Sequence, residues 1–389
     1  MIAVVAGLVI GLGGGFGLLP LLSSEPAAHD DAGKPAQPRT NLLAGSFERA
    51  PAVNFGGQPL PDACALVQPA DLERLGIPIA YPVDIKHTYL DPQVTDPQVH
   101  SRSRQAPAEC LILIQGREDG ILPSVRVEFH AVPFSHENDV RVFDYGYEHR
   151  TKGDLVLYVD RPEPGSSYDF RAKVPLGDGK LIGVTLSDPL ESYRGVPTSQ
   201  LFDQIVDTVL DNYARGATGV QGFRYQEPYG TPPSACAVFS PAAFELVTGK
   251  QDSGWVEERI PSYERQILNS RVGGYIYLEY TCRRVDRAAL DESGPTTGKE
   301  LTVTYYRNER EAAAHDELCK ASTDIGVLGL DTAVGDGQSC ISTVLDSSTL
   351  LFRSGRAGFS LPANEGEDPR TFRDRAVPIT QQILRDLNG

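Results

Sequence analysis

The sequence predicts an α+β fold: two tandem antiparallel-sheet α/β sandwich domains that follow an N-terminal transmembrane helix. Three observations predict it. Cysteines recur at equal spacing with matching flanks, strand-like segments are bracketed by amphipathic helical ones, and residues 1–24 carry no ionisable side chain.

The repeat comes first. The six cysteines are Cys64, Cys110, Cys236, Cys282, Cys319 and Cys340, and the first two pairs each span 46 residues (110 − 64 and 282 − 236). The flanks agree. Pro61-Asp62-Ala63-Cys64-Ala65-Leu66-Val67-Gln68-Pro69-Ala70 matches Pro233-Ser234-Ala235-Cys236-Ala237-Val238-Phe239-Ser240-Pro241-Ala242 at six of ten positions. Downstream, Arg194-Gly195-Val196-Pro197-Thr198-Ser199-Gln200 is echoed by Arg375-Ala376-Val377-Pro378-Ile379-Thr380-Gln381. The offset grows only from 172 (236 − 64) to 181 (375 − 194), so two motifs in the same order point to an internal duplication. The repeats are expected at 59–215 and 230–389, with the seam near Arg215–Tyr229.

No Cys-x-x-Cys occurs and no histidines cluster beside the cysteines, so zinc and thioredoxin-like readings are weak. Equal placement argues for Cys64–Cys110 and Cys236–Cys282 as disulfides, with Cys319–Cys340 as an addition to the second repeat. Such bonds persist in an oxidising compartment, which places the domains outside the cytoplasm.

Ile2 to Leu22 is one uncharged, mostly apolar run of about the length that crosses a bilayer as a helix. No Lys or Arg precedes it and no cysteine follows closely, so a retained single-pass anchor is expected over 1–22. Gly7, Gly11 and Gly15 would line one smooth helix face. Residues 23–58, rich in Pro, Ala, Gly, Asp and Ser, read as a flexible linker that holds the domains off the membrane. The net charge of −16 repels phosphate backbones, which argues against a nucleic-acid partner.

Each repeat opens with a short helix. Ser240-Pro241 is an N-cap followed by proline at the first helical position, Ala242, Phe244 and Val247 continue it, and Gly249 ends it. In the first repeat Pro69, Leu72, Leu75 and Gly76 play these parts. Each repeat also closes with a helix. After Pro197, Leu201, Phe202, Ile205, Val206, Val209 and Leu210 recur at helical spacing, with Asp203, Asp207 and Asp211 opposite. The matching helix is expected to begin at Pro378.

Strands are expected at 111–114, 124–129 and 155–159, with a hairpin over 174–184 that turns at Gly177-Asp178-Gly179. Their counterparts are 275–280, 301–305 and 349–352, with a turn at Ser354-Gly355-Arg356. A middle helix is expected over Asn308–Lys320, with Ser135–Tyr147 in its place in the first repeat.

The opening Cys64-Ala65-Leu66-Val67 with Pro69-Ala70-Asp71, the second cysteine at a strand start and the late amphipathic helix resemble a family of actinobacterial secreted lipoprotein domains of unknown function. Leu330-Asp331-Thr332-Ala333 with Gly335-Asp336 is similar to that family's glycine–aspartate turn. The resemblance implies a compact α/β sandwich like that of PsbP-like domains, and implies no established activity. Two copies and a bare hydrophobic helix depart from the family's single, lipid-anchored domain.

The chain has no Gly-x-Ser-x-Gly, no Walker loop (Gly294 to Lys299 is one residue short) and no His-Glu-x-x-His. His136-Glu137-Asn138-Asp139 reads as a solvated helix start, and the Gly-Asp-Gly turns at 177–179 and 335–337 lack the ligand count of a calcium site. No catalytic residue, cofactor or metal ligand is assigned. Tyr275, Tyr277 and Tyr280, with Tyr305 and Tyr306 on a nearby strand, form the one suggestive cluster. It reads either as a binding surface for protein, sugar or lipid or as a sheet face covered by a helix.

The function expected is therefore non-enzymatic: binding or scaffolding at the cell envelope, with the domains on the extracytoplasmic side of the cell membrane. The partners would be the membrane itself, through the N-terminal helix, and an envelope protein, lipid or glycan. The alternatives are a sensor or carrier that holds an apolar ligand and an envelope hydrolase without linear motifs.

Overall fold

The computed structural model describes residues 41–388 apart from 56–57, 81–83, 94–107, 117–121, 131–146, 163–168, 178–179, 270–272, 292–293, 296–297, 321–324 and 345–346. The apolar run Ile2–Leu22 lies outside the described residues, as do His136–Asp139 and nearly all of the helix expected at Ser135–Tyr147. Among the described residues no helix is long and apolar enough to cross a membrane.

Thr40–Gly389 is one compact unit. It opens with β1 (Leu43–Ala50), α1 (Ala63–Leu66) and α2 (Pro69–Arg74). Strands β2 (Ile85–Leu90), β3 (Ala108–Leu113), β4 (Ser124–His130), β5 (Glu148–Lys152), β6 (Leu155–Asp160), β7 (Phe170–Gly177) and β8 (Lys180–Ser187) follow. Helix α3 (Thr198–Ala214) closes this half. The second half runs β9 (Val220–Tyr225), α4 (Ala235–Val238), α5 (Pro241–Thr248), β10 (Asp252–Ile260), β11 (Arg265–Asn269), β12 (Gly273–Asp286) and β13 (Lys299–Tyr306). It ends with α6 (Glu309–Ala312), a 3-10 segment Ala313–Cys319, β14 (Ile325–Gly329), β15 (Cys340–Val344), β16 (Ser347–Ser354), β17 (Ala357–Pro362) and α7 (Pro369–Asn388).

The fold is α+β, and every paired strand is antiparallel to its neighbours. Fifteen strands share one sheet in the order β14-β15-β16-β17-β13-β12-β10-β2-β3-β4-β8-β7-β6-β5, with β11 beside β12. From the β2–β10 junction outward, both halves lay down their strands in the same succession. The halves meet edge to edge, with Ile85 opposite Ile260, His87 opposite Glu258 and Tyr89 opposite Val256. This junction satisfies two strand edges that would otherwise present unpaired backbone groups. The strands that lead the two halves, β1 and β9, pair as a separate ribbon.

One sheet face carries α1, α3, α4, α5, α7 and the main core. Ile112, Val127, Ile182, Phe202, Ile205, Phe244, Leu278, Val303, Phe352, Phe359 and Ile383 lie in it. The disulfides Cys64–Cys110 and Cys236–Cys282 tie α1 to β3 and α4 to β12, each over 46 residues, and Cys319–Cys340 spans 21. No described cysteine is free.

Local chemistry explains the helix starts. Asp62 and Ser234 cap α1 and α4 by accepting from Cys64 N and Ala237 N, and Ser240 caps α5 by accepting from Ala243 N. Gly249 ends α5 in the left-handed region at φ 69°.

Three expectations need correction. Residues 43–50, placed in the flexible linker, form β1, because β9 supplies a partner far along the chain. Helix α7 begins nine residues before Pro378, where Asp368 accepts from Arg370 N and Thr371 N and Pro369 takes the first position. Over Asn308–Lys320 only one α-turn forms before the chain tightens into a 3-10 segment.

Candidate functional site

The most deeply buried cluster of titratable groups lies on the helix-covered face at the β2–β10 junction. His87 and Glu258 face each other in register and are fully buried. Each is also opposite the strand cysteine of its own half: His87 pairs with Cys110 and Glu258 with Cys282. The positions are therefore equivalent, and their chemistry differs.

His87 Nε2 lies 2.8 Å from Asp62 Oδ2. That carboxylate also accepts from Cys64 N at 2.7 Å and from Gln221 N at 3.2 Å. Asp62 thus caps α1, holds the β9 backbone and orients the imidazole. The second half has Ser234 at the matching cap, where it accepts from Ala237 N of its own helix.

Glu258 is met by Arg49, which crosses from β1; Nη1 lies 3.3 Å from Oε2, and the same guanidinium donates to Tyr89 Oη. Burial pulls the Arg49 charge down, but Tyr89 and Glu258 raise its affinity for the proton overall. Burial drives the Tyr89 hydroxyl far above its ordinary value. His87 Nδ1 and Glu258 Oε1 have no hydrogen-bond partner among the described residues.

Arg284 lies two residues beyond Cys282 on the same face and is fully buried. It donates to Asp252 Oδ2 at 2.6 Å, to Asp91 Oδ2, to Phe239 O and to Cys236 O. Asp91 follows β2, so this cation joins the two halves. Burial lowers the Arg284 pKa, and the two aspartates more than reverse that. Burial raises the Asp252 pKa, with Arg284 opposing.

What this network can do is limited by its wiring. Asp62 and His87 form an oriented acid–base dyad, but His87 Nδ1 has no hydroxyl or thiol bonded to it. Asp62, Cys64 and His87 are the one grouping of metal-ligand types within 4.8 Å of one another among the described residues. The Cys64 sulfur is committed to Cys110, so the thiolate that a soft metal needs is absent while that bond stands.

The opposite sheet face differs between the halves. Over the first half it carries a ladder of half-buried charges: Lys86 reaches Glu109 at 3.2 Å and Glu257 at 3.5 Å, and Lys173 reaches Glu128 at 3.8 Å. Over the second half the same face is covered by α6 and the 3-10 segment.

The five tyrosines are all buried, from 2% to 7% exposed, so they do not form one exposed patch. Alternation along the strands divides them. Tyr280 and Tyr305 point into the main core, whereas Tyr275, Tyr277 and Tyr306 lie on the other face with Ala312 and Ala314 over them. His315 joins this second group: its Nδ1 meets Tyr306 Oη at 3.1 Å and its Nε2 meets Phe359 O at 3.3 Å. Burial lowers its pKa to about 4, and the backbone bond to Phe359 only partly offsets this. Gly358 leaves the space for the ring, since a Cβ there would strike His315.

The sequence reading missed the junction residues Asp62, His87, Glu258 and Arg284. The available signal was a polar residue inside apolar alternation, His87 between Ile85 and Tyr89 and Glu258 between Val256 and Ile260, but their pairing joins segments 171 residues apart (258 − 87). No family model, no curated protein and no solved structure matches this chain.

Proposed function

We propose that the chain is a non-enzymatic binding or scaffolding protein of the cell envelope. In this reading it is tethered by its N-terminal apolar segment, with two tandem copies of one disulfide-closed unit on the extracytoplasmic side. The observation that carries it is the direction in which the reactive side chains point. Asp62, His87, Glu258, Arg49 and Arg284 are turned inward at the junction of the halves and act as internal ties, with Arg49–Glu258 and Arg284–Asp91 crossing from one half to the other.

The outward surfaces are sheet edges, helix faces and a ladder of paired charges, which suit recognition of another macromolecule. Three disulfides with no described free thiol support an oxidising compartment. The shared strand succession supports the duplication, and the resemblance to secreted lipoprotein domains agrees with the proposed address.

Native mass spectrometry on the protein extracted from its own membranes in mild detergent tests the reading. A stoichiometric protein adduct is the expected result. A co-purifying lipid or glycan mass in place of a protein would overturn scaffolding in favour of carriage, and a bare monomer would count against stable assembly.

A further inference from the structure

The two halves end their shared sheet in different ways. In the first, the terminal strand β5 is Glu148-His149-Arg150-Thr151-Lys152, and it places Arg150 and Lys152 on the helix side. There Arg150 and Arg161 both reach Asp203 of α3, the latter at 2.7 Å, and Lys152 reaches Asp211 at 2.7 Å and Asp207 at 3.3 Å. The space between the terminal strand and its helix is thus filled by the chain's own charged side chains. A charged terminal strand is also a poor template for another strand.

Among the described residues the second half does not repeat the acids at Asp203 and Asp207 or the bases at Arg150 and Lys152. The motif offset of 181 that aligns Gln200 with Gln381 sets Leu384 where Asp203 stands and Asn388 where Asp207 stands. Terminal strand β14 is Ile325-Gly326-Val327-Leu328-Gly329, with no charge. Leu328 pairs with Ile341 of the core and so sits on the helix side together with Gly326. Helix α7 packs on β14, β15 and β16, and a shallow depression lined by Gln381, Leu384, Arg385 and Asn388 opens on it. Among the described residues no strand pairs with the outer edge of β14. Cys319–Cys340 anchors β15 beside it, so the edge is held in place.

We infer that this edge and the adjoining face of α7 form a docking site for an extended peptide segment of a partner protein, which adds as a strand to β14. The site rests on the binding reading above and gives that reading a location and a ligand class. Backbone N–H and C=O groups of β14 would supply the ladder bonds, and alternate side chains would supply selectivity. An apolar residue fits over Leu328 and Leu384, and an acidic residue on the same side of the peptide fits the exposed Arg385. A second copy of this chain is a poorer occupant, because two molecules of net charge −16 repel.

The test uses the full chain in mild detergent and a phage-displayed library of linear twelve-residue peptides as the probe. Enriched peptides should carry an apolar residue and an Asp or Glu two residues apart, on one side of the strand, and N-methylation at every second residue should weaken them at least tenfold. The double variant Leu328→Arg/Leu384→Asp, which rebuilds the filling of the first half, should abolish their binding. Arg385→Glu, an exposed change that leaves packing alone, should move the selected peptides from acidic to basic. Unchanged binding to both variants, or no enrichment, would overturn the site. So would a dimer in sedimentation velocity that the double variant dissolves. A protein adduct in native mass spectrometry that survives the double variant would remove this site and leave the binding reading standing.

Discussion

Replacing Arg284 with methionine probes the junction most directly. The guanidinium is fully buried and serves two carboxylates, Asp91 at 6% and Asp252 at 3% exposure, together with two carbonyls. Removing one partner of a buried ion pair costs about 3–5 kcal/mol, because the other charge stays buried without compensation. The two carbonyls lose a donor at roughly 1 kcal/mol each, and the methionine stem recovers part of that through apolar burial. A net loss of about 4 kcal/mol is expected, a large fraction of the ~5–15 kcal/mol that holds an ordinary domain. Urea titration at pH 7.5, with disulfides intact, should show the midpoint falling by more than ~1 M.

The pH dependence gives a second readout. Without Arg284, burial of Asp252 is opposed only by the Gly254 N–H bond, and its folded pKa rises further above the unfolded value. The folded variant then holds a proton that the unfolded chain releases, so its deficit is largest near neutral pH and shrinks as pH falls toward 5. Arg284→Met with Asp91→Asn and Asp252→Asn should recover most of the loss. A single-variant deficit below ~1 kcal/mol, or one that does not change between pH 7.5 and 5, would refute the reading of Arg284 as the junction's principal ionic tie.

Asp62→Ala removes a helix cap and leaves Gln221 N and His87 Nε2 without an acceptor; a loss of about 3 kcal/mol is expected in thermal melts, against under 1 if the dyad is incidental. His315, held neutral by burial with a pKa near 4, contributes stability that is present above the unfolded value and lost as pH falls from about 6.5 toward 4. That component is on the order of 3 kcal/mol, and His315→Gln should flatten the slope in equilibrium unfolding followed by tyrosine fluorescence. Opening Cys64–Cys110 by paired Cys→Ala changes should cost about 4 kcal/mol on the chain-entropy model, and opening Cys319–Cys340 about 3, as read by urea titration.

Local chemistry was legible wherever a few adjacent residues determine it. Ser240-Pro241 and Gly249 bound α5 as expected, the hairpin between β7 and β8 turns beside Gly177 at φ 80°, and equal cysteine spacing led to the correct pairs. Misplaced boundaries came from competing signals. Pro378 resembles a helix start, yet Asp368-Pro369 is the stronger one, and the helix runs on through Pro378. The candidate sites were less legible because they depend on distant register. Nothing near Tyr275 says that Ala312 and Ala314 will cover it, although strand alternation alone turns Tyr280 to the other face. Residue Arg284 looks like an exposed strand position until Asp91 and Asp252 are brought around it.

The edge-to-edge pairing of β2 with β10 has one more consequence. When two identical chains join by the same strand, the position on the dyad axis must meet its own copy: a histidine would face a histidine, a glutamate a glutamate. Buried in low dielectric, either like pair would repel when charged. Here both strands belong to one polypeptide, and the axial positions differ. An imidazole can therefore stand opposite a carboxylate, each with its own counter-group, Asp62 on one side and Arg49 on the other. Covalent linkage thus permits a broken symmetry that a homodimer cannot adopt.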